Sequence, residues 1–554
     1  MKKTGANILL ESLREVGVDT IFGYPGGSVL PIYDAIFDSD IRHILTRHEQ
    51  GAVHAADGYA RASGRPGVCL ATSGPGATNL VTGIANAYMD SVPIIAMTGQ
   101  VVTSQLGKDS FQEADIVGIT LPITKHSYLV KNARELPKVV KEAFHIATTG
   151  RPGPVLIDIP RDVSAALVEH EETGPLDLPG YRLPQTPPQR RLEEAASVIM
   201  ASQRPVIYAG GGVVNSGAFI EFQQFAEKIM APVTTTLMGL SGFPGRHPLA
   251  LGMLGMHGSK YANYAVCSCD LLIAVGVRFD DRVTGKLEKF VPEAKVIHID
   301  IDPAEIGKNV KVDIPLVGDV KNSLAELVKY LEAKPSGAWQ EQVQDWKKEY
   351  PLTFEDTKEG RLKPQYVIRE IYRAGQDRAK IVTDVGQHQM WSAHYYDYTR
   401  PRSFISSGGL GTMGFGLPAA IGVQVACPDE LVFNIAGDGS IQMNIQELAT
   451  AVNNNLPIKI AILNNGYLGM VRQWQELFYN HRYSHTELIN PDFTKIAEAY
   501  GAVGMRIERQ EDVAPALQEA LAVKKPVVMD FLVEREENVL PMVPPGEPLD
   551  KMLG

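Results

Sequence analysis

Leu431-Val432-Phe433-Asn434-Ile435-Ala436, followed at once by Gly437-Asp438-Gly439-Ser440, is the stretch on which the fold turns. A short apolar run bounded by glycine predicts a strand buried on both faces of a parallel sheet. The helical pattern behind it reaches about Asn453, and Pro457-Ile458-Lys459-Ile460-Ala461 opens the next strand. This second strand, Ile458–Leu463, ends in Asn464-Asn465. Ligands of open parallel sheets collect outside the carboxyl ends of the strands. Asp438 and Asn465, 27 positions apart, stand at two such ends. One carboxylate and one amide oxygen are hard ligands of the kind Mg²⁺ takes, leaving its other positions to phosphate oxygens and water. Gly437 and Gly439 let phosphates approach the backbone and a helix N-terminus. The residues themselves therefore point to a Mg²⁺–diphosphate site. The competing reading is a turn aspartate and an Asx loop.

The same pattern stands near the other end of the chain. Gly67–Thr72 reads as a strand, Ser73-Gly74-Pro75-Gly76 as its turn, then a helix to about Met89 and a strand from Pro93 to Met97. Pro75 to Pro93 is 18 residues and Asp438 to Pro457 is 19, which points to an internal duplication. Between the copies, Pro205–Ala209, Pro232–Thr236, Asp270–Gly276 and Lys295–Ile301 read as strands of a second kind of doubly wound domain. Its Gly210-Gly211-Gly212 run lacks the full dinucleotide spacing. A proline-rich stretch and a charged one, the latter with a short helix around Trp339–Tyr350, divide the chain. The expected class is α/β, with three doubly wound parallel-sheet domains. Residues 1–165 form the first, 166–190 a linker, 191–335 the central domain, 336–363 a second linker, 364–540 the third domain and 541–554 a tail.

Composition narrows the function classes. Of 554 residues 44% are hydrophobic and 21% charged, an ordinary globular balance that excludes disorder as the main state. Lys and Arg number 53, Asp and Glu 64, for a net charge of −11 without a basic block. That argues against nucleic acid or an anionic membrane surface as the partner. No apolar run approaches the ~20 residues of a membrane helix. Lys2 and Lys3 precede an amphipathic stretch rather than a signal core, so a cytoplasmic protein is expected. Cys69, Cys267, Cys269 and Cys427 form no CxxC pair and read as reduced, mostly buried thiols, neither zinc ligands nor disulfides.

Further motifs carry a family resemblance. They are Phe22–Gly27, Arg47–Ala52, Thr72–Asn79, Phe111–Asp115, Gly252–Gly258, Arg278–Arg282, Gly411–Gly416 and Gly469–Trp474. With Gly437-Asp438-Gly439 and Asn464-Asn465, the chain resembles the thiamine diphosphate-dependent decarboxylases and carboligases. Within them it is similar to the acetohydroxyacid synthase (acetolactate synthase) catalytic subunits over essentially its whole length. The resemblance implies two related thiamine diphosphate-binding folds, one for the pyrimidine and one for the diphosphate, flanking a central FAD-associated domain. It places Mg²⁺ on Asp438, Asn465 and the Tyr467 carbonyl. It places thiamine diphosphate on Glu49, Pro75, Asn79, Gly386, Gln387, His388, Gly411, Met413, Gly437, Gly439, Ser440, Tyr467, Gly469 and Met470. FAD falls on Arg151, Gly210, Gly211, Gly212, Thr236, Leu237, Met238, Leu254, Gly255, Met256, His257, Gly276, Val277, Arg278, Asp280, Asp300, Ile301, Gly318 and Asp319, and is implied to be structural or vestigial because the net reaction needs no electron acceptor.

Glu49 is the implied acid–base residue. A carboxyl against a ring nitrogen of the aminopyrimidine shares its proton and favours the imino form, which takes the C2 proton of the thiazolium. The competing reading is a helix-terminal glutamate favoured by the dipole. The implied reaction decarboxylates pyruvate and condenses the resulting hydroxyethyl unit with a second pyruvate or 2-ketobutyrate. The products are 2-acetolactate and 2-aceto-2-hydroxybutyrate, the first common step of branched-chain amino acid biosynthesis. Phe111, Met256 and Trp474 are implied to shape the acceptor pocket, with core packing as the competing reading. Arg282 is implied to hold the acceptor carboxylate, a task for a bidentate guanidinium, and Gln112 to bond near the reacting centre. Arg161, in Ile159-Pro160-Arg161-Asp162, departs from the family's usual Lys. A homodimer or homotetramer with active sites between subunits is implied, and a separate small regulatory subunit. The prolines of the tail either fold over the active site or belong to a loose terminus. The rival readings are a flavin-dependent pyruvate oxidase, a 2-keto acid decarboxylase, and a non-catalytic flavin- or nucleotide-binding regulator.

Overall fold

A computed structural model describes residues 2–169, 174–355 and 362–554. Residues 170–173 and 356–361, within the two expected linkers, lie outside the described residues. Three six-stranded parallel sheets carry the chain. In the first, the neighbours run Arg42–Leu45, Thr20–Gly23, Gly67–Ala71, Ile94–Gln100, Val155–Pro160, His126–Leu129. In the third they run Phe404–Ile405, Ala379–Thr383, Leu431–Gly437, Lys459–Asn464, Val527–Leu532, Val503–Ile507. Numbered along the chain, both orders are 2-1-3-4-6-5, so the duplication read from spacing is also a duplication of topology.

Each motif helix is broken where the sequence predicts one continuous helix. Pro75–Thr78 precedes Val81–Met89, and Asp438–Ile441 precedes Glu447–Asn453. The interruptions turn an asparagine inward. Asn79 donates to Glu49, and Asn444 to the Gly414 carbonyl. Side-chain bonds of this kind compete with the helix ladder.

The central sheet has the order 3-2-1-4-5-6, whose switch point lies between Pro205–Ala209 and Leu271–Val275. Gly210 and Gly276 follow those strands and meet backbone to backbone. A Cβ on Gly212 would lie 2.5 Å from Gly276 Cα, which accounts for the glycine run without a full dinucleotide motif. Helix Ala338–Glu349, inside the second expected linker, is fastened to this domain through buried Trp339 and Val343, and Trp339 Nε1 donates to Pro205 O at 3.0 Å. Of the cysteines, Cys69 and Cys269 are buried, Cys427 is half-buried and Cys267 is exposed; all are free. Among the described residues no helix is long and apolar enough to cross a membrane.

The first and third domains share one core. Helices Glu49–Ser63 and Gly416–Ala426 cross inside it, nearly buried all round, as their Ala- and Gly-rich sequences suit. A Cβ on Gly422 would stand 1.8 Å from Ala55 O, and one on Gly58 2.2 Å from Ala419 O. Backbone cannot yield as a flexible side chain does. Gly422→Ala is expected to lose about 2 kcal/mol, the overpacking cost exceeding the ~1 kcal/mol of helix propensity gained. The check is a lower urea midpoint at unchanged slope; an unshifted midpoint defeats the close-packing account. Arg402 ties all three domains, donating to Arg61 O (3.1 Å) and Val214 O (2.9 Å).

Candidate active site

Strand Leu431–Gly437 delivers Asp438 as the first residue of a helix, 1% exposed. Its Oδ2 accepts from Gly466 N (3.0 Å) and Asn490 Nδ2 (2.6 Å). Burial raises its carboxyl to about 6 against these bonds. Asn465, at the end of the adjacent strand, accepts from Tyr467 N at 3.1 Å and donates to Gln387 Oε1 at 3.2 Å. Tyr467 pairs with Glu487 in a bridge whose hydrogen bonds run Leu468 N to Thr486 O and Leu488 N to Gly466 O, leaving the Tyr467 carbonyl aside. One carboxylate, one amide oxygen and one carbonyl form a hard donor set. No cluster of three or more His, Cys, Asp or Glu able to hold a metal occurs among the described residues.

Around it lies a cradle open to phosphate. A Cβ on Gly437 would come 2.9 Å from His388 Nδ1, and one on Gly469 would come 2.2 Å from Gln387 Oε1. Ser440 Oγ accepts from Gly437 N at 3.1 Å, and Gly439 meets Leu468. Gly386 precedes helix Gln387–Tyr395. Gln387 is fixed by donating to Gln473 Oε1 (2.8 Å) and Glu537 O (2.9 Å). His388 is buried, and burial pushes its imidazole down to about 3, so the ring is neutral. Its Nε2 has no protein partner among the described residues. A buried ring nitrogen without a partner calls for one, and a diphosphate oxygen fits it. Above the cradle, Met413 is pinned on both sides. Thr412 N donates to Ser407 Oγ (2.8 Å) and Gly414 N to Asp384 Oδ1 (2.9 Å), while Gly411 turns at φ +70°.

Glu49 opens helix Glu49–Ser63 behind the N-cap His48, whose Nδ1 accepts from Gln50 N at 3.1 Å. Asn79 Nδ2 donates to Glu49 Oε2 at 2.9 Å. A Cβ on Gly76, next to Pro75, would stand 3.2 Å from Oε1, so glycine keeps that oxygen approachable. Glu49, Pro75 and Asn79 thus come together. No hydrogen bond or ion pair joins them to Asp438, Asn465 or Tyr467 among the described residues. Phe111 and Gln112 belong to the loop beside Gly74, where Gln112 has φ +57°. Phe111, implied as a pocket wall, is 88% exposed.

A cavity of about 770 Å³ lies where the three domains meet. All positions assigned to FAD line it except Gly255 and Gly318. Gly255 backs onto the Arg282 carbonyl and Gly318 onto Pro187, so neither faces the cavity. Gly411, Met470, Trp474 and Arg282 line it too. Arg282 Nη1 lies 3.9 Å from Met256 Sδ, and its guanidinium 6.0 Å from the Trp474 ring centre, so these three implied acceptor residues do converge. The tail packs beside them: Val543 N donates to Met256 O at 2.7 Å, and Leu549 is buried. Arg161 is exposed at the start of helix Arg161–Ala165.

Two charged cavity residues escaped the sequence reading. Asp90 pairs with Arg61 (2.9 Å) and accepts from Gly408 N (3.0 Å) and Gly409 N (2.7 Å), anchoring the loop that leads to Met413. Glu305, 5% exposed, accepts from Arg151 at 2.8 Å while its Oε2 has no partner. The glycine pair was the one local signal for the first; the second had none.

Comparison with known proteins agrees with this geometry. Three thiamine pyrophosphate enzyme models match in order: the N-terminal TPP binding domain at residues 3–119, the central domain at 192–327 and the C-terminal TPP binding domain at 384–531. The chain is 52% identical to an acetolactate synthase of Mycobacterium bovis over 562 residues, covering 99% of this chain and 91% of the relative. It is 52% identical to a probable acetolactate synthase large subunit of Methanocaldococcus jannaschii, covering 98% and 94%. An acetolactate synthase of Arthrospira platensis is 50% identical, covering 100% and 98%.

Proposed function

We propose, since this chain belongs to the acetolactate synthase family of thiamine pyrophosphate enzymes, that it is the catalytic subunit that decarboxylates pyruvate and transfers the two-carbon unit to a second 2-keto acid. The carrying observation is the buried, unpartnered His388 Nε2 in a glycine cradle beside Asp438 and Asn465. Bound thiamine diphosphate supplies the electron sink for decarboxylation.

The chain's own residues do the rest. Asp438, Asn465 and the Tyr467 carbonyl hold Mg²⁺, and His388, Gln387, Ser440 and the Gly439 and Gly469 backbone hold the diphosphate. Asn79 occupies Glu49 Oε2, which leaves Oε1 to share a proton with the pyrimidine ring nitrogen. Met413 supports the cofactor from its pinned loop. Arg282 binds the acceptor carboxylate, while Met256 and Trp474 keep water from the reacting carbon. FAD occupies the central cavity in a structural role. The Glu49 half and the Asp438 half belong to one site formed between two subunits, so the chain works as a homo-oligomer whose partner covers Phe111. A small regulatory subunit joins it, and the enzyme is cytoplasmic.

The deciding assay supplies pyruvate, thiamine diphosphate and Mg²⁺, with and without FAD, then acidifies and measures acetoin. Acetoin formed only after acidification is expected. Oxygen uptake with acetate, or acetaldehyde before acidification, would replace this reading by an oxidase or a decarboxylase. Arg282→Lys keeps the charge but loses the fork. It should raise the KM for the acceptor about tenfold, as the loss of one charge-assisted bond does, with thiamine diphosphate affinity unchanged. An unchanged KM releases Arg282 from acceptor binding.

A further inference from the structure

Glu447 is the first residue of helix Glu447–Asn453 in the third domain and is fully buried. Its carboxylate reaches into the first domain. Arg47 N donates to both oxygens, at 3.0 Å to Oε1 and 3.2 Å to Oε2. Thr450 Oγ1 donates to Oε2 at 2.6 Å, and the His48 amide also bonds to the carboxylate. Arg47 and His48 are the two residues before Glu49. Two residues after it, a Cβ on Gly51 would stand 2.4 Å from Glu447 Oε1. Amides and a missing Cβ thus enclose the carboxylate on both sides of Glu49. The segment that ends at Glu447 begins at Asp438, so on the two-subunit reading a short stretch of the third domain touches the metal end of one site and the acid–base end of the other.

A buried carboxylate is costly to retain when no cation pairs with it directly. The Arg47 guanidinium is turned away, donating to the Leu45 and Thr46 carbonyls. Negative charge at the first turn of Glu49–Ser63 does suit the helix dipole, but an N-cap side chain of the helix itself already supplies a bond there. What Glu447 adds is a fixed point from another domain, set on the backbone that carries Glu49. Proton sharing needs the carboxyl held within a fraction of an ångström of its partner.

We infer that Glu447 is a positioning residue for the reaction: from the third domain it clamps the Arg47–Gly51 backbone so that Glu49 presents Oε1 to the pyrimidine nitrogen. This rests on the reading of Glu49 as the acid–base residue. Its signature is a slower proton step in a protein that folds and binds cofactor normally.

The test uses the full chain loaded with thiamine diphosphate and Mg²⁺. Exchange of the thiazolium C2 hydrogen in D₂O is stopped by acid and read by NMR, beside melting temperature, cofactor affinity, kcat and the KM for pyruvate. For Glu447→Gln we expect exchange and kcat to fall together by about tenfold, the scale of a small misplacement, with KM, cofactor affinity and melting temperature near wild type. Gly51→Ala pushes on the same carboxylate from the other side and should slow exchange likewise. Glu447→Asp, which keeps the charge, should recover part of the rate. Wild-type exchange in both Glu447→Gln and Gly51→Ala overturns the inference. So does a variant that melts early and binds cofactor weakly while its loaded fraction exchanges at full rate, because that is a brace of the fold alone. Glu49→Gln runs alongside. Normal exchange in that variant removes the reading of Glu49 and the inference with it; slowed exchange there with normal exchange in Glu447→Gln removes the inference only.

Discussion

Glu49→Gln is expected to lower acetolactate formation by about 10²-fold or more, the usual scale for an acid–base residue, and to leave thiamine diphosphate bound. The substitution keeps the shape and keeps an oxygen for Asn79, so the half-site around Pro75 and Gly76 stays as it is. It removes the shared proton alone. The bland account of Glu49, a first-turn acid favoured by the dipole, predicts something different: a stability change of about 0.3–1 kcal/mol and no change in turnover. Melting temperature and turnover, measured on one preparation, separate the two. Undiminished acetolactate from the variant takes Glu49 out of the mechanism.

What could be read in advance was local. Strands such as Leu431–Gly437 and Pro205–Ala209 show as apolar runs ended by glycine, and the glycine, aspartate and asparagine at their ends show as ligand chemistry without any tertiary knowledge. Repetition of that local pattern also disclosed the shared topology of the outer sheets. What stayed hidden depends on distant chain. Glu447 reads as an ordinary helix-opening acid, and its meaning lies in an amide 400 positions away. Asp90 and Glu305 carry no mark in the sequence, yet one anchors Gly408 and Gly409 and the other is buried against Arg151. Phe111 reads as apolar, and apolar residues are expected inside, yet it is 88% exposed. The helix breaks after Thr78 and Ile441 escaped because Asn79 and Asn444 leave the ladder for partners in other elements.

Asp438→Asn should weaken Mg²⁺ binding by at least about 10²-fold, beyond the 10–100-fold typical of losing an outer-sphere partner, and thiamine diphosphate retention should fall with it. The pH dependence of stability offers a second readout of the same site. Burial raises the Asp438 carboxyl to about 6, above its ordinary 3.8. A carboxyl whose folded value is raised binds its proton more tightly in the folded chain than in the unfolded one. Stability then falls as pH rises from about 3.8 through 6 and stays reduced above it. At neutral pH the ionised Asp438 therefore works against the metal-free fold. A cation bound to the ionised carboxylate would offset that penalty. Without metal, Asp438→Asn should melt at or above the wild type near pH 7.5, since the amide keeps an oxygen for Gly466 N and sheds the charge. With Mg²⁺ held in excess and thiamine diphosphate at ~100 times its wild-type dissociation constant, the wild type should gain about 2.7 kcal/mol from that ligand by mass action, and the variant almost nothing. The order of the two melting temperatures then inverts between the ligand-free and loaded proteins. Melting curves that keep one order under both conditions, or a variant that holds Mg²⁺ as tightly as the wild type, rule out Asp438 as the metal's carboxylate.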